Sequence, residues 1–454
     1  MIQYGYIDIF WRFLMKKLIS IFLFLSSCIT LLAGCTPSEE SSADVSENSI
    51  EANVSQDIGD VSEPENDEPK LDLDSTTALD VTKLTINDTY TIGGGDTLSS
   101  YFEEPLESFF GTCKYYSENE WTLYNYNEIN KNHFATYYKG DELRHIYWIE
   151  CESELNIVTS ATGGGALPPI EPEKLPDEQT PIATSVTQIQ SPEVNGMGYV
   201  IQLADGSFII QDGGYASRAN ELWNTLVELN GGKENIVIRA WILTHGHDDH
   251  YPCFSAFGNN YGSKVTLETV MISPLSDEDA KTLPNLNKNI LTDIQKFEGA
   301  KLLYVHTGMV FNYCNVKLEI LYTADELWIA EPTRDECLEE IMNYNNSSII
   351  SRIKTDDYSA IFLGDASEEA ALRLVLYYGK YLKSDMCQVA HHGVEDFPLI
   401  AYRFINASIL WFPCNQYLFD LVGRDDDVRK ALANSKYTEE VILHDASRET
   451  REFK

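Results

Sequence analysis

Apolar and polar residues follow two different patterns along the chain, and the change between them divides the sequence. Between residues 81 and 160, short apolar runs rich in Tyr and Trp, such as 145–149 and 155–158, are typical of strands. From about residue 183, apolar runs that predict buried strands alternate with amphipathic stretches that predict helices. Because strands and helices alternate irregularly, we expect an α/β fold with two mixed sheets and helices on their outer faces.

The second part divides into individual elements. Two strands, 199–203 and 207–211, flank a tight turn, and the helix after them, 216–229, ends at a pair of glycines. A buried strand at 236–244 comes next. Further strands are predicted at 264–272, 301–306, 316–322, 347–353, 360–363, 386–390, 406–412 and 440–443, and further helices at 277–297 and 367–378.

A stretch rich in Gly and Pro at 161–182 separates the two patterns and predicts a linker. It would join a small β-rich region at 81–160 to a larger domain at 183–454. A long loop within one larger domain is the alternative. We expect the Tyr and Trp side chains of the first region in its core, with an exposed carbohydrate-binding face as the alternative.

The N-terminal segment resembles a secretion signal. Met15 precedes two Lys residues, and a mostly apolar run to Leu32 follows. A pair of small residues and Cys35 come next, as in bacterial lipoprotein signals. The resemblance implies that Met15 is the true start, that residues 1–34 are removed and that the Cys35 thiol is lipidated. The predicted location is the extracellular face of the bacterial cytoplasmic membrane, with an uncleaved membrane anchor as the alternative.

Acidic residues dominate the composition: 71 Asp and Glu against 33 Lys and Arg give a net charge of −38. The segment 35–80 is rich in acidic and Ser residues and has no aromatic residue, so we expect a disordered tether. An excess of negative charge repels polyanions at long range, which argues against long duplex DNA as a partner. A nuclease for short substrates is not excluded, because bound divalent metals dominate the local field.

The most specific chemical signal is the run 244–250, Thr-His-Gly-His-Asp-Asp-His, directly after the buried strand. On such a loop, His245 and His247 can converge on one divalent ion, and Asp249 and His250 on a second. Imidazole and carboxylate ligands favour Zn²⁺, Mn²⁺ or Fe over Mg²⁺ or Ca²⁺. The cysteines show no CxxC spacing, so a cysteine zinc site is not expected.

This HxHxDH arrangement resembles the metallo-β-lactamase superfamily over roughly residues 183–420. The resemblance implies a four-layer αββα sandwich with two divalent metal ions at one edge, Zn²⁺ being favoured and Mn²⁺ the alternative. Three further positions match: Asp212 after the first hairpin, Asp365 in Phe-Leu-Gly-Asp, and His391 in Ala-His-His-Gly. By resemblance, Asp365 bridges the metals and His391 is the last His ligand. Asp212 would hold a metal-binding His by a hydrogen bond.

The Asn and Ser residues at 345–348, together with the motifs around Asp365 and His391, look like the hydrolase domain of ComEC-type competence proteins. That resemblance implies phosphodiester hydrolysis, often of DNA, here without the membrane channel. Many superfamily members place another His before the bridging Asp. Between the first cluster and Asp365 this chain offers only His306, which we expect to be structural. The departure argues against antibiotic hydrolysis and predicts a weaker first metal site, with Mn²⁺ as a candidate.

Metal-assisted hydrolysis gives the remaining residues their expected roles. Asp248 or Asp249 would bind or orient the attacking water. His392 would either protonate the leaving group or make a supporting hydrogen bond. Asn346 and Ser348 would either contact the substrate or fix their own loop.

Three functions remain open at this point. The leading hypothesis is a lipid-anchored, metal-dependent phosphodiesterase or nuclease for small or short substrates. The second is another ester or lactone hydrolase, because the fold alone does not decide the substrate. The third is a ligand-binding lipoprotein with an inactive metal site. The aromatic residues at 81–160 support this hypothesis.

Overall fold

Besides residue 175, the computed structural model describes residues 70–171, 180–276, 286–329, 344–394, 397–422, 426–445 and 448–453. These residues belong to one compact unit that begins at Glu68. The predicted signal at 1–34, the predicted lipidation site Cys35 and most of the predicted tether lie outside the described residues. In the described part of the chain, no helix is both long enough and apolar enough to cross a membrane.

Six antiparallel strands form the first sheet: β1 (Asp88–Thr91), β2 (Thr97–Tyr101), β3 (Thr122–Ile129), β4 (Asn132–Lys139), β5 (Glu142–Ile149) and β6 (Glu154–Ser160). Their order across the sheet is β1-β2-β6-β5-β4-β3. Helix α1 (Leu106–Glu118), which the sequence pattern did not predict, covers one face. Its buried residues Phe109, Cys113 and Tyr116 form a common core with Ile146 and Leu155 of the sheet.

Aromatic side chains of this region are mostly core residues. Tyr101, Tyr116 and Tyr137 are buried in this core, and Trp121 is partly buried against it. Tyr124 is buried in a neighbouring core. Tyr and Trp contribute large apolar areas to a small core, which accounts for their frequency here. The structure therefore favours the core interpretation over an exposed carbohydrate-binding face.

Compact structure begins before residue 81. Leu71 and Leu73 pack against the core beneath α1. The backbone N–H of Leu79 donates to the carbonyl of Gly111 at 2.8 Å. The last residues of the predicted tether therefore belong to the folded region.

The second sheet has seven strands: β7 (Ser185–Gln188), β8 (Gly198–Gln202), β9 (Phe208–Asp212), β10 (Ile236–Ile242), β11 (Val265–Ile272), β12 (Lys301–Tyr304) and, from the end of the chain, a strand at Glu449–Glu452. The order is β12-β11-β10-β9-β8-β7 and then the C-terminal strand. Strands β9 to β12 are parallel to one another, so their carboxyl ends point to one edge.

The third sheet also has seven strands: β13 (Val310–Tyr313), β14 (Val316–Tyr322), β15 (Ile350–Lys354), β16 (Ser359–Phe362), β17 (Met386–Gln388), β18 (Ile409–Phe412) and β19 (Glu440–Leu443). They lie side by side in chain order, which makes Glu449–Glu452 strand β20 of the protein. From β16 to β19 the strands are parallel.

Helices lie on the outer faces of these two sheets. Against the second sheet pack α2 (Ala219–Leu229), α3 (Pro252–Tyr261) and α4 (Leu286–Asp293). After a short α5 (Glu326–Ile329), the helices that pack on the third sheet are α6 (Glu368–Tyr378), α7 (Leu399–Ile405), α8 (Gln416–Phe419) and α9 (Asp426–Ala433).

Alternation of side chains along each strand explains the layers. Ile209 and Ile242 of the second sheet share one core with Leu318 and Phe362 of the third, so the sheets pack face to face. The intervening side chains, such as Trp241, point outward to the helices. The predicted fold class, a four-layer αββα sandwich with a small β-rich N-terminal region, is confirmed.

Candidate metal centre

Strand β10 delivers the His-rich loop to the edge of the sandwich, and Asp212 at the end of β9 fixes it there. Asp212 is buried and has a left-handed backbone, with φ of 51°. Its Oδ1 accepts the Thr244 N–H at 2.7 Å, and its Oδ2 accepts the Thr244 hydroxyl at 2.6 Å. The same Oδ2 lies 2.8 Å from His250 Nδ1. Because a carboxylate only accepts, His250 Nδ1 donates and its Nε2 is left as a lone-pair donor.

Four side chains converge at this edge: Asp249, His250, Asp365 and His392. One ligand atom from each lies within 4.8 Å of all the others. His250 Nε2 is 3.1 Å and His392 Nε2 is 3.3 Å from Asp365 Oδ2. His392 Nε2 is also 3.0 Å from Asp249 Oδ2. The sequence predicted three of these four as ligands.

A second group shares Asp365. It consists of His245, His247 and Asp365, again with ligand atoms within 4.8 Å of one another. His245 Nε2 lies 3.0 Å from His247 Nδ1 and 3.9 Å from Asp365 Oδ2. Two donor groups with one carboxylate in common are the arrangement of a dinuclear site.

Unpartnered atoms provide a test of whether these groups fit a cation. His250 Nε2, His392 Nε2 and Asp365 Oδ1 are buried and have no hydrogen-bond partner of acceptable geometry among the described residues. Buried polar atoms without partners are costly, so a group of three in one place calls for a ligand. Imidazole nitrogens and carboxylate oxygens are donors for Zn²⁺, Mn²⁺ and Fe. The residues therefore fit divalent metal ions.

The pKa shifts of Asp365 and His392 also reflect how closely the carboxylates and imidazoles approach one another. Burial opposes ionisation of Asp365, but the imidazoles of His250, His392 and His391 outweigh it and hold the pKa of Asp365 well below its usual range. Burial likewise disfavours the charged form of His392, yet the Asp365 and Asp249 carboxylates raise its pKa to about 9. Without a metal, His250 and His392 would carry the positive charge that the carboxylates require.

The turn after β16 places Asp365. Gln388 Oε1 accepts the N–H groups of Leu363 and Gly364 at 2.7 and 2.8 Å. Ser348 Oγ accepts the Asp365 N–H at 3.1 Å. Gly364 has φ of +58°, and a Cβ there would lie 2.8 Å from the Ser348 Cβ, so glycine is required. No local pattern in the sequence points to Gln388.

Of the neighbouring His391 and His392, the structure brings His392 into the four-residue donor group. Both have left-handed backbones, with φ of 45° and 56°. His392 Nδ1 donates to the Pro413 carbonyl at 2.9 Å, which directs its Nε2 to the centre. His391 belongs to neither donor group, and its Nε2 is 3.8 Å from Asp365 Oδ2. The geometry brings in His392 as the fourth donor, whereas the sequence named His391.

Three other predicted site residues, Asn346, Ser348 and Asp248, lie outside both donor groups. Asn346 Oδ1 accepts the N–H and hydroxyl of Ser367 at 3.0 and 2.8 Å, just before α6. Ser348 is fully buried, with Oγ 3.3 Å from His245 Nδ1. These contacts favour the loop-fixing alternative for both residues. Asp248 is exposed and lies outside both donor groups.

His306 is buried away from both donor groups. Its Nδ1 lies 2.6 Å from Asp325 Oδ2, and burial of the pair is nearly complete. Thr323 Oγ1 also donates to Asp325 at 3.3 Å. This buried pairing agrees with a structural role for His306.

No family model matches the chain, and no curated protein does either. Solved structures do match. The chain is similar to metallo-β-lactamase-fold proteins. YhfI from Bacillus subtilis, described as such a protein, is 14% identical with a TM-score of 0.36, over 60% of this chain and 100% of its own.

Two further solved structures are similar to this chain. The short form of human tRNase Z is 11% identical with a TM-score of 0.35, over 60% of this chain and 99% of its own. Zn²⁺-bound PqqB from Methylobacterium extorquens is 8% identical with a TM-score of 0.34, over 59% of this chain and 100% of its own. At such identities the likeness decides neither metal nor substrate nor reaction.

Proposed function

We propose that this chain is a metal-dependent hydrolase that cleaves phosphodiester bonds through two divalent cations. The observation that carries the proposal is the pair of donor groups that share Asp365. The first group would hold one ion through Asp249, His250, Asp365 and His392. The second would hold another through His245, His247 and Asp365. This choice makes His392 a ligand in place of His391.

Divalent cations at such a site supply Lewis acidity and a nucleophile at neutral pH. The protein holds the donors in fixed orientations before substrate arrives. Asp212 and the Pro413 carbonyl orient His250 and His392 from behind, through the ring nitrogens that face away from the centre. His247 and Asp249 are only partly buried, so the substrate would approach on their side.

The preference for a phosphodiester rests on the ComEC-like run at 345–348 and on the lack of the extra His ligand. The net charge of −38 favours a small or short substrate over long duplex DNA. The segment from Met15 to Cys35 supports a lipid-anchored enzyme at the extracellular face of the bacterial cytoplasmic membrane.

The test is hydrolysis of bis-p-nitrophenyl phosphate by the full chain in detergent, before and after a chelator and with Zn²⁺ or Mn²⁺ restored. We expect turnover that disappears with the chelator, returns with metal and is lost in Asp365→Ala. The exposed Asp356→Ala is the matched control and should behave as wild type. Two bound ions without turnover would move the proposal to another ester or lactone. A chain that binds no metal would overturn the enzymatic proposal.

A further inference from the structure

The segment between β7 and β8 contributes to the centre, although the sequence analysis gave it no role. Asn195, in this segment, has its side-chain Nδ2 in hydrogen-bonding contact with Asp249 Oδ2. That oxygen is also the one 3.0 Å from His392 Nε2. Asn195 therefore touches the carboxylate from outside the donor group and restricts its rotation.

Tyr215 determines which way the Asn195 amide points. A carboxylate can only accept, so the Asn195 NH₂ must face Asp249 and its Oδ1 must face away. Tyr215 Oη lies 2.9 Å from that Oδ1 and donates its proton to it. The amide is thus fixed at both ends, and the order Tyr215 to Asn195 to Asp249 runs in one direction only.

Backbone contacts hold the same segment against both sides of the four-residue group. The Met197 N–H donates to the Asp249 carbonyl at 2.9 Å, and the Gly196 N–H donates to the Pro413 carbonyl at 3.2 Å. Pro413 is the residue whose carbonyl orients His392. One short segment therefore supports Asp249 and His392 together.

Gly196 allows this close approach. Its φ is +136°, and a Cβ would lie 3.4 Å from the Tyr215 ring. A Cβ would be in ordinary van der Waals contact with that ring, but any side chain at this φ would strain the backbone of the segment. The glycine and the tyrosine are therefore part of the same arrangement.

We propose that Asn195 is a positioning residue for the group Asp249, His250, Asp365 and His392, and that Tyr215 fixes Asn195 in its working orientation. The inference rests on the proposed metal-dependent function. Residues that orient ligands from outside usually affect metal affinity by about 10-fold to 100-fold. The expected consequence is selective: one of the two ions binds more weakly, because Asn195 contacts Asp249, which belongs to the four-residue group and not to the group formed by His245, His247 and Asp365.

The test is a Zn²⁺ titration of the metal-free full chain in detergent, by calorimetry and by competition with a chromophoric chelator. Asn195→Leu keeps the size of the side chain and removes its donor. We expect it to weaken one Zn²⁺ equivalent by about 10-fold to 100-fold and to leave the other unchanged. Tyr215→Phe should weaken the same equivalent by less. With Co²⁺ in place of Zn²⁺, the visible spectrum of the affected site should change in both variants.

A matched tyrosine–asparagine pair elsewhere in the chain serves as the control. Tyr261 Oη donates to Asn220 Oδ1 at 2.8 Å in an exposed position, so Tyr261→Phe should leave both Zn²⁺ equivalents unchanged. If folded Asn195→Leu binds both Zn²⁺ equivalents with wild-type affinity, the inference about Asn195 is overturned and the proposed function is not. If that variant fails to fold, unchanged affinity and Co²⁺ spectrum in Tyr215→Phe would overturn it. Failure of the wild type to bind two ions would instead overturn the proposed function.

Discussion

Two buried sets of imidazole and carboxylate groups differ in how their donor atoms are arranged. At the sandwich edge, His250 and His392 each approach Asp365 while their far ring nitrogens are held from behind. In the other set, His306 and Asp325 pair with each other, and no group of three metal donors in the described part of the chain includes either of them. Burial and pairing are common to both sets, so convergence of several donors is the feature that marks a metal centre.

The largest effect on stability is expected from Asp325→Ala. It leaves His306 buried without its carboxylate, which should cost about 3 kcal/mol of unfolding free energy, with metal content unchanged. Burial disfavours charged His306, but Asp325 outweighs it and raises the His306 pKa. The stabilisation is therefore complete below the unfolded pKa of about 6.5 and is lost as pH rises through the folded pKa. Urea unfolding at pH 6 and at higher pH measures the loss of stability and its pH dependence. Loss of metal from Asp325→Ala would contradict the distinction between the His306–Asp325 pair and the donor groups at the sandwich edge.

Removal of His392 should cost slightly less free energy than Asp325→Ala. Its effect should be selective for one of the two metal ions. We expect His392→Ala to weaken one ion and to lower kcat/KM by roughly 100-fold or more, because a donor at the centre is lost. His391→Ala should cost less than about tenfold. Metal analysis and steady-state kinetics on both variants decide the assignment, and a larger loss from His391→Ala would restore it to the ligand role. His306→Ala provides the control and should retain both ions.

Glu326 offers a sharper test of buried charge outside the metal centre. Burial, opposed by Arg373, raises its pKa from 4.5 to about 7, so the folded state favours the protonated acid. Stability should therefore fall as pH rises from about 4.5 to 7. Glu326→Gln keeps an acceptor for the Tyr377 hydroxyl and removes the ionisation. We expect it to stabilise the protein by about 1–3 kcal/mol at pH 8 and by little at pH 4.5. Equal effects at both pH values would show that Glu326 does not titrate in this range.

The smallest effect should come from Asn346→Ala. The lost hydrogen bonds to Ser367 before α6 should cost about 1 kcal/mol of stability, the usual net contribution of a buried hydrogen bond. KM for bis-p-nitrophenyl phosphate should stay at the wild-type value. A large rise in KM with unchanged stability would instead favour the substrate-binding alternative for Asn346.

The four-layer sandwich followed from the resemblance carried by the run 244–250, whereas the pattern of apolar and polar residues predicted two mixed sheets with helices on their outer faces. That pattern missed α1, since the aromatic residues of 106–118 match the strand composition of their neighbours. The run 244–250 could be found because its donors lie together in the chain. Asn195 could not, because its partner Asp249 lies far away in sequence and nothing local marks the contact.

The order of His391 and His392 was beyond sequence analysis for a different reason. Which ring enters the centre depends on two successive left-handed backbone conformations. The residue types at 391 and 392 give no sign of left-handed backbone, because non-glycine residues rarely adopt that conformation. The contact that selects His392 is to a backbone carbonyl, Pro413, which has no side-chain signature.

The two consecutive left-handed histidines have a conformational cost that the folded chain must offset. Each such conformation in a non-glycine residue costs about 1–2 kcal/mol, and here two adjacent residues adopt it in one short turn. The rest of the fold must hold that turn in a chain that has not yet captured a cation. A cation that binds only the folded chain would offset the cost by mass action. Metal supply would then set how much of the protein survives quality control after synthesis, in addition to how fast it works.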